Sequence, residues 1–312
     1  MNDKHLLKSL GTPVQVAILL VFSVCCAIIF IGLAGLAIWS IWDINIFMDT
    51  TTLTRYDLPE VIEANKLLLL FQHLGLFITP ALLFGYLAQR APVRYLSLDI
   101  KPDVRLIIVA IMLMICVQPV VSWVGEWNAG LKLPESMASL ENTIRVMEDS
   151  AAELTKAILL TSDTGMLLIN MFLLALIPAI GEEMIFRGIL QRQVMKGMGK
   201  AHLAVWTTAI LFSFFHFQFF GFFPRMILGA MLGYLFLWSG SLWLPIAAHF
   251  TNNLLGIVIY FLAARGTISE EWLNMDHAPV SLGMVAVSLA VSLGLMYLIM
   301  RQRRDNKITF QD

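Results

Sequence analysis

The stretch AIGEEMIFRGILQRQVMK, residues 179–196, decides how the rest of the chain is read. It continues an apolar run, residues 166–180, so two adjacent carboxylates, Glu182 and Glu183, fall where a hydrophobic helix is leaving a membrane or still inside it. Ionisable groups at that depth are costly unless paired or hydrated, and by default they mark function. On a helix Glu183 and Arg187 are four apart, share a face and can neutralise each other. Glu182 is rotated by roughly 100° and has no basic residue three or four positions away. A paired glutamate fixes a helix, and an unpaired one beside it is left for chemistry. Ordinary interfacial charges at a helix end are the other reading of this stretch taken alone.

The composition extends the membrane reading to the whole chain. Of 312 residues, 58% are hydrophobic and 14% charged, against about 25% charged in a soluble domain. Apolar runs cover residues 14–42, 67–87, 106–124, 165–186, 202–220, 226–238, 242–264 and 281–300. A span needs about 20 apolar residues, so these predict about eight transmembrane helices in an all-α, polytopic membrane protein. Run 226–238 is the short one. The first run is too long for a signal peptide's apolar region and reads as an uncleaved helix. Residues 1–312 read as a single membrane domain with a core at 166–264. Cys25, Cys26 and Cys116 all lie in apolar runs and are expected as buried thiols, with no disulfide framework.

Charge between the runs sets orientation. Arg90, Arg94, Lys101 and Arg105 mark one segment, Arg187, Arg192, Lys196 and Lys200 another, and Arg301, Arg303, Arg304 and Lys307 the tail. Acidic segments at 43–66, 125–164 and 265–280 alternate with them. Both termini are therefore expected in the cytoplasm and residues 125–164 outside, in a multi-pass protein of the cell membrane. Seven tryptophans near predicted helix ends fit an aromatic belt, and Trp272 falls in an outer loop. The basic tail reads as a topology determinant, and no nucleic-acid partner is expected. Ile144, Met147, Ala151, Leu154 and Ile158 recur at helical spacing and predict an amphipathic helix on the outer surface.

Two histidines lie in later runs, His216 in the fifth and His249 in the seventh. Asn253 shares a face with His249, and Phe212 lies four before His216 and can pack beneath it. His5 and His277 sit in polar segments and His202 starts a helix. His73, inside the second run, has no evident partner in the sequence. A carboxylate, two histidines and an amide can hydrolyse a peptide bond: carboxylate and histidine take a proton from water, while histidine and amide donate to the oxyanion. Alternatively Glu182, His216 and His249 bind Zn²⁺ as a His₂Glu set. There is no HExxH.

In this order the residues resemble the CAAX protease and bacteriocin-processing family of intramembrane endopeptidases, whose pattern is EExxxR, FxxxH and HxxxN or HxxxD on successive membrane helices. Here these are Glu182-Glu183-Met184-Ile185-Phe186-Arg187, Phe212-Ser213-Phe214-Phe215-His216 and His249-Phe250-Thr251-Asn252-Asn253. The resemblance implies an eight-helix enzyme opening towards the cytoplasm. It implies that Glu182 and His216 activate water, that His249 and Asn253 stabilise the transition state, and that Glu183 and Arg187 support them, without a catalytic metal. The implied partners are the bilayer and a peptide or protein substrate, membrane-anchored ones included. A non-catalytic scaffold or immunity protein of the same fold is the alternative. A proton-relaying transporter is a third, for which the internal repeat common in such proteins is missing.

Overall fold

The structure, a computed structural model, describes residue 7, residues 9–269, residue 273 and residues 280–302. Lys4, His5, Lys8, Glu270, Glu271, Trp272, Asp276, His277 and the basic tail from Arg303 onward lie outside the described residues. Among those described the regular elements are all helical: α1 (Thr12–Trp42), α2 (Pro59–Gln89), α3 (Val104–Cys116), α4 (Gln118–Ala129), α5 (Ala138–Leu159), α6 (Thr164–Met198), α7 (Ala201–Phe214), α8 (Phe222–Ser239), α9 (Trp243–Ala264) and α10 (Leu282–Arg301). Helices α1, α2, α6, α8, α9 and α10 are long and apolar enough to cross a membrane. The α3–α4 pair, bent by 41°, makes a seventh crossing if taken as one span. Pro119 accounts for the bend, since its ring cannot sit under the carbonyl four residues back. This is a multi-pass membrane protein.

The remaining predicted crossing, the fifth run at 202–220, folds only in part. It gives α7, whose 14 residues reach about 21 Å, short of a full span. The chain leaves the helix at Phe215; Phe217 takes a positive φ of 52°, and Ser213 Oγ donates to the Phe222 carbonyl to close the turn. The shortest run, 226–238, instead gains a first turn from Phe222, Phe223 and Pro224 and becomes the 18-residue α8. Of the three cysteines, Cys26 is buried and Cys116 half-buried, but Cys25 is exposed; it lies on the outward side of α1, an apolar surface that a bilayer would cover.

Three π-helical turns sit inside the long helices, at Leu74–Ile78, Met171–Leu176 and Phe186–Gln191. Pro80 and Pro178 follow the first two. The wider turn accommodates a proline that cannot donate to the preceding turn, and such bulges often occur at functional positions. Here they flank His73 and the Glu182 stretch.

The molecule has two knitted ends. At one, the turn after α8 packs on the α2–α3 connection: Leu242 N–H donates to Ser97 O at 3.3 Å, Trp243 Nε1 to Leu98 O at 2.8 Å and Arg192 to Ser97 Oγ. Gln193 reaches Gln15 and Tyr95 there. At the other end, Asn128 Nδ2 donates to Phe219 O at 3.0 Å, its Oδ1 accepts from Phe223 N–H, and Glu148 accepts from Phe220 N–H. Helix α5 lies at this second end, tied to α6 by Asn170 Nδ2 donating to Ile158 O. Leu154 and Ile158 pack inward as expected, but Met147 is 59% exposed. The Leu133 N–H and Arg145 hold the Glu141 carboxyl of α5 below the usual carboxylate range.

Candidate active site

The Glu182 stretch lies in the middle of α6, and seven of the nine residues Ile177–Ile185 are buried. Its neighbours come close because two glycines let them. A Cβ on Gly181 would meet Phe77 Cβ at 2.9 Å, and one on Gly75 would meet Phe30 Cβ at 2.7 Å. The π turn of α2 is thereby pressed between α1 and α6, and His73 is set beside Glu182. On the other side, α8 presents Gly229 and Gly233, a small-xxx-small pair that lets helices approach. Arg187 Nη2 donates to Gly229 O at 2.8 Å and Gln191 Nε2 to Gly233 O at 3.0 Å. Two donors four apart on α6 thus meet two carbonyls four apart on α8, which fixes the register of the pair.

Glu183 and Arg187 form the expected pair, with Nη1 to Oε1 at 2.7 Å and both side chains almost fully buried. The same Oε1 also accepts from His249 Nδ1 at 2.8 Å. Glu183 therefore orients His249 as well as neutralising Arg187, and with Nδ1–H so engaged His249 turns Nε2 towards Glu182.

Glu182 is also buried, and its surroundings differ from the sequence expectation of an unpartnered carboxylate. His73 Nε2 lies 3.7 Å from Oε1, while His216 Nε2 and His249 Nε2 each lie 3.9 Å from Oε2. Each ring uses its other nitrogen locally. His73 Nδ1 donates to Leu69 O at 2.9 Å and His216 Nδ1 to Phe212 O at 2.8 Å, since a carbonyl only accepts. Three imidazoles thus point Nε2 at one carboxylate. Oε2 itself is buried without a hydrogen-bond partner and faces the Nε2 atoms of the two histidines.

Phe212 is the packing centre of this cluster. Its ring meets His216 edge-on at 4.9 Å, His249 at 5.8 Å and Phe186 at 5.2 Å, and the Arg187 guanidinium lies over it at 4.6 Å. Asn253 stands near His249 on α9; its Oδ1 receives Asn252 Nδ2 at 3.5 Å, and Asn252 Oδ1 accepts from Gln118 Nε2 at 3.2 Å. Sequence reasoning left His73 open for want of a partner and missed Gln118 and Asn252. An ionisable residue inside an apolar run was the available signal for His73; the amides carry none.

A cavity of about 590 Å³ ends on this cluster, with Phe212, His216, His249 and Asn253 lining it. Its outer wall is Arg145, Glu148, Asp149 and Ala152 of α5, spaced to share one helix face, together with Arg225 and Gln218. The cavity therefore opens at the end of the molecule that holds residues 125–164. The two expectations from sequence, an opening towards the cytoplasm and residues 125–164 outside, exclude each other.

A zinc ion would need closer donors than these. Bonds of about 2.0–2.2 Å in a tetrahedral shell set donors about 3.4 Å apart, and the Nε2–carboxylate separations are 3.7–3.9 Å. Among the described residues no group of three or more His, Cys, Asp or Glu is placed to hold an ion. As they stand, these side chains do not fit that shell.

Comparison with known proteins bears on this region. Residues 164–255 match the family model described as type II CAAX prenyl endopeptidase Rce1-like. An uncharacterized protein, YpbD of Bacillus subtilis (strain 168), is 32% identical over 85 residues, which is 26% of this chain and 40% of that relative's length. No solved structure matches. The matched segment contains all three motifs, the buried Glu183–Arg187 pair and the cavity floor, and the fold is of the CAAX-protease type. Residues 164–255 are thus an Rce1-like segment, and this match supports membership of the CAAX protease and bacteriocin-processing family.

Proposed function

We propose that the protein is an intramembrane endopeptidase that hydrolyses a peptide bond of a membrane-associated protein or peptide with a Glu/His-activated water. The observation that carries this reading is the unpartnered Oε2 of Glu182, which faces Nε2 of His216 and of His249, the two histidines that line the inner end of the cavity. A water between them would touch a base and a helper at once. Glu182 takes the proton as the water oxygen bonds to the substrate carbonyl carbon. His216, with Nδ1–H fixed on Phe212 O, has its Nε2 lone pair free to share that proton. The C–N bond then breaks and the proton passes to the leaving amine.

The oxyanion is assigned to His249 and Asn253. His249, its Nδ1–H held by Glu183, would donate through Nε2 when that nitrogen also carries a proton. His73 is a positioning residue on the far side of the carboxylate. Its Nδ1 proton is committed to Leu69 O, so a hydrogen bond with Oε1 needs one more proton shared by the two groups, and this holds Oε2 towards the cavity. The test is cleavage of a peptide library by detergent-purified protein. Turnover is expected from the wild type and lost in Glu182→Ala; equal turnover in both would overturn the assignment.

A further inference from the structure

We propose that the site is served from the extracytoplasmic side, so that its substrate is a peptide segment that has crossed the membrane or faces outward from it. The identity of the cut bond rests on the peptidase reading above; the side of access stands on separate observations.

The first is where the cavity opens. Its wall runs from His249 and Asn253 past Leu232, Leu228 and Pro224 to Arg145, Glu148 and Asp149. In chain terms these are the first half of α8, the turn before it, the later part of α4 and the face of α5. All belong to the end of the molecule between α4 and α6. The second is the seal at the opposite end. Leu242, Ile246, Ile189, Leu190, Leu96 and Phe236 form one buried apolar cluster between the site and that surface. Arg192 on Ser97 and Gln193 on Gln15 close the surface above it. A small cavity of about 100 Å³ at that end, lined by Lys101, Asp103, Trp238 and Gln302, includes none of the site residues.

The third is charge. The sealed end carries Arg90, Arg94, Lys101, Arg105, Arg192, Lys196, Lys200 and Arg301 in short connections and helix ends, and the basic residues of both terminal segments adjoin it in the sequence. The open end holds fewer basic residues, spread over longer segments. Lysine and arginine in short connections mark the cytoplasmic side. The sealed end is then cytoplasmic and the open end external. A mouth with Arg145, Glu148 and Asp149 is polar and mixed in sign, which suits a hydrated peptide chain entering from water.

The experiment uses the full chain with its three cysteines replaced by serine and one cysteine introduced, either Leu140→Cys on α5 or Leu228→Cys in the cavity wall. A small, charged, membrane-impermeant thiol reagent is added to right-side-out and to inverted vesicles, and cleavage of a soluble quenched-peptide library by the wild type is assayed in both. Both cysteines are expected to react in right-side-out vesicles only, and cleavage is expected there only. Reaction of either cysteine only in inverted vesicles overturns the proposal, as does failure of the Leu228→Cys thiol to react from either face in protein whose Leu140→Cys thiol reacts. Cleavage confined to inverted vesicles also overturns it. Outer labelling of both cysteines with no cleavage even in detergent upholds the access route and sinks the peptidase reading instead.

Discussion

His73 Nε2 lies 3.7 Å from Glu182 Oε1, on the opposite side of the carboxylate from His216 and His249. Removing the imidazole leaves a buried carboxylate oxygen without its neighbour but takes away no group assigned to the water or the substrate. His73→Gln is expected to lower kcat by about 10–100-fold, the usual cost of losing a partner that orients a reacting group. KM and the detergent melting temperature are expected to stay at wild-type values. A fall in melting temperature that accounts for the lost activity would make His73 a packing residue only.

The approach that brings His73 there depends on Gly181. A Cβ at 2.9 Å from Phe77 Cβ and 3.1 Å from Ile78 Cγ1 must push α2 away, because those atoms sit close to a helix backbone. Overpacking of this kind typically costs about 1–3 kcal/mol. Gly181→Ala is expected to lower the melting temperature and, by shifting His73, to lower kcat as well. Gly294→Ala in α10, where a Cβ meets nothing within 4 Å, is the control. It should match or exceed wild-type stability, since alanine favours a helix by about 1 kcal/mol over glycine.

These two positions mark the limit of what the sequence reveals. Glu183–Arg187 and His249–Asn253 are four apart on single helices, so spacing alone puts each pair on one face, and Phe212–His216 has the same spacing where α7 ends. His73 and Glu182 meet only because two glycines and a π turn set α2 against α6, and hydropathy carries no trace of that. The run 202–220 is apolar throughout, so it reads as a crossing, although Phe215–Gly221 folds as a turn. The side to which the cavity opens follows from how α4, α5 and α8 pack. The charge pattern separates the two ends of the molecule without saying which of them is hollow.

The buried pair makes a third prediction. Breaking one partner of a buried ion pair typically costs about 3–5 kcal/mol, so Glu183→Gln and Arg187→Gln should each lower the melting temperature and folded yield. The charge swap, Glu183→Arg with Arg187→Glu, should not rescue them. Arg187 also donates to Gly229 O and Glu183 also accepts from His249. A glutamate at 187 would face that carbonyl, and an arginine at 183 would face a ring N–H. Recovery of wild-type stability in the swapped protein would mean that charge alone matters here.

A metal-free reaction predicts that purified, active protein holds less than stoichiometric zinc by elemental analysis and keeps its turnover after chelation. Stoichiometric zinc, with activity lost on chelation and restored by zinc alone, would refute it. Inhibition by a chelator without restoration would not, because a bound metal can also act by stabilising the fold.

The ordering of mutant effects separates catalysis from scaffolding. Glu182 and His216 are assigned to one proton transfer, and residues that act as a unit lose activity non-additively. Glu182→Gln and His216→Ala should each remove most turnover, and the double mutant should be little worse than either. Asn253→Ala takes away one oxyanion donor, a loss of about 10²–10³ in rate, so residual cleavage should be measurable. His249→Ala should be at least as severe, because Nε2 of that ring faces Glu182 while Nδ1 is held by Glu183. Peptide cleavage and substrate binding are measured in parallel on protein whose melting temperature is first shown to be near wild type. Additive losses in the double mutant would separate the two residues into different steps. Wild-type cleavage by Glu182→Gln would end the catalytic assignment. A biological phenotype kept by Glu182→Gln with cleavage abolished would shift the function to binding by the same cavity.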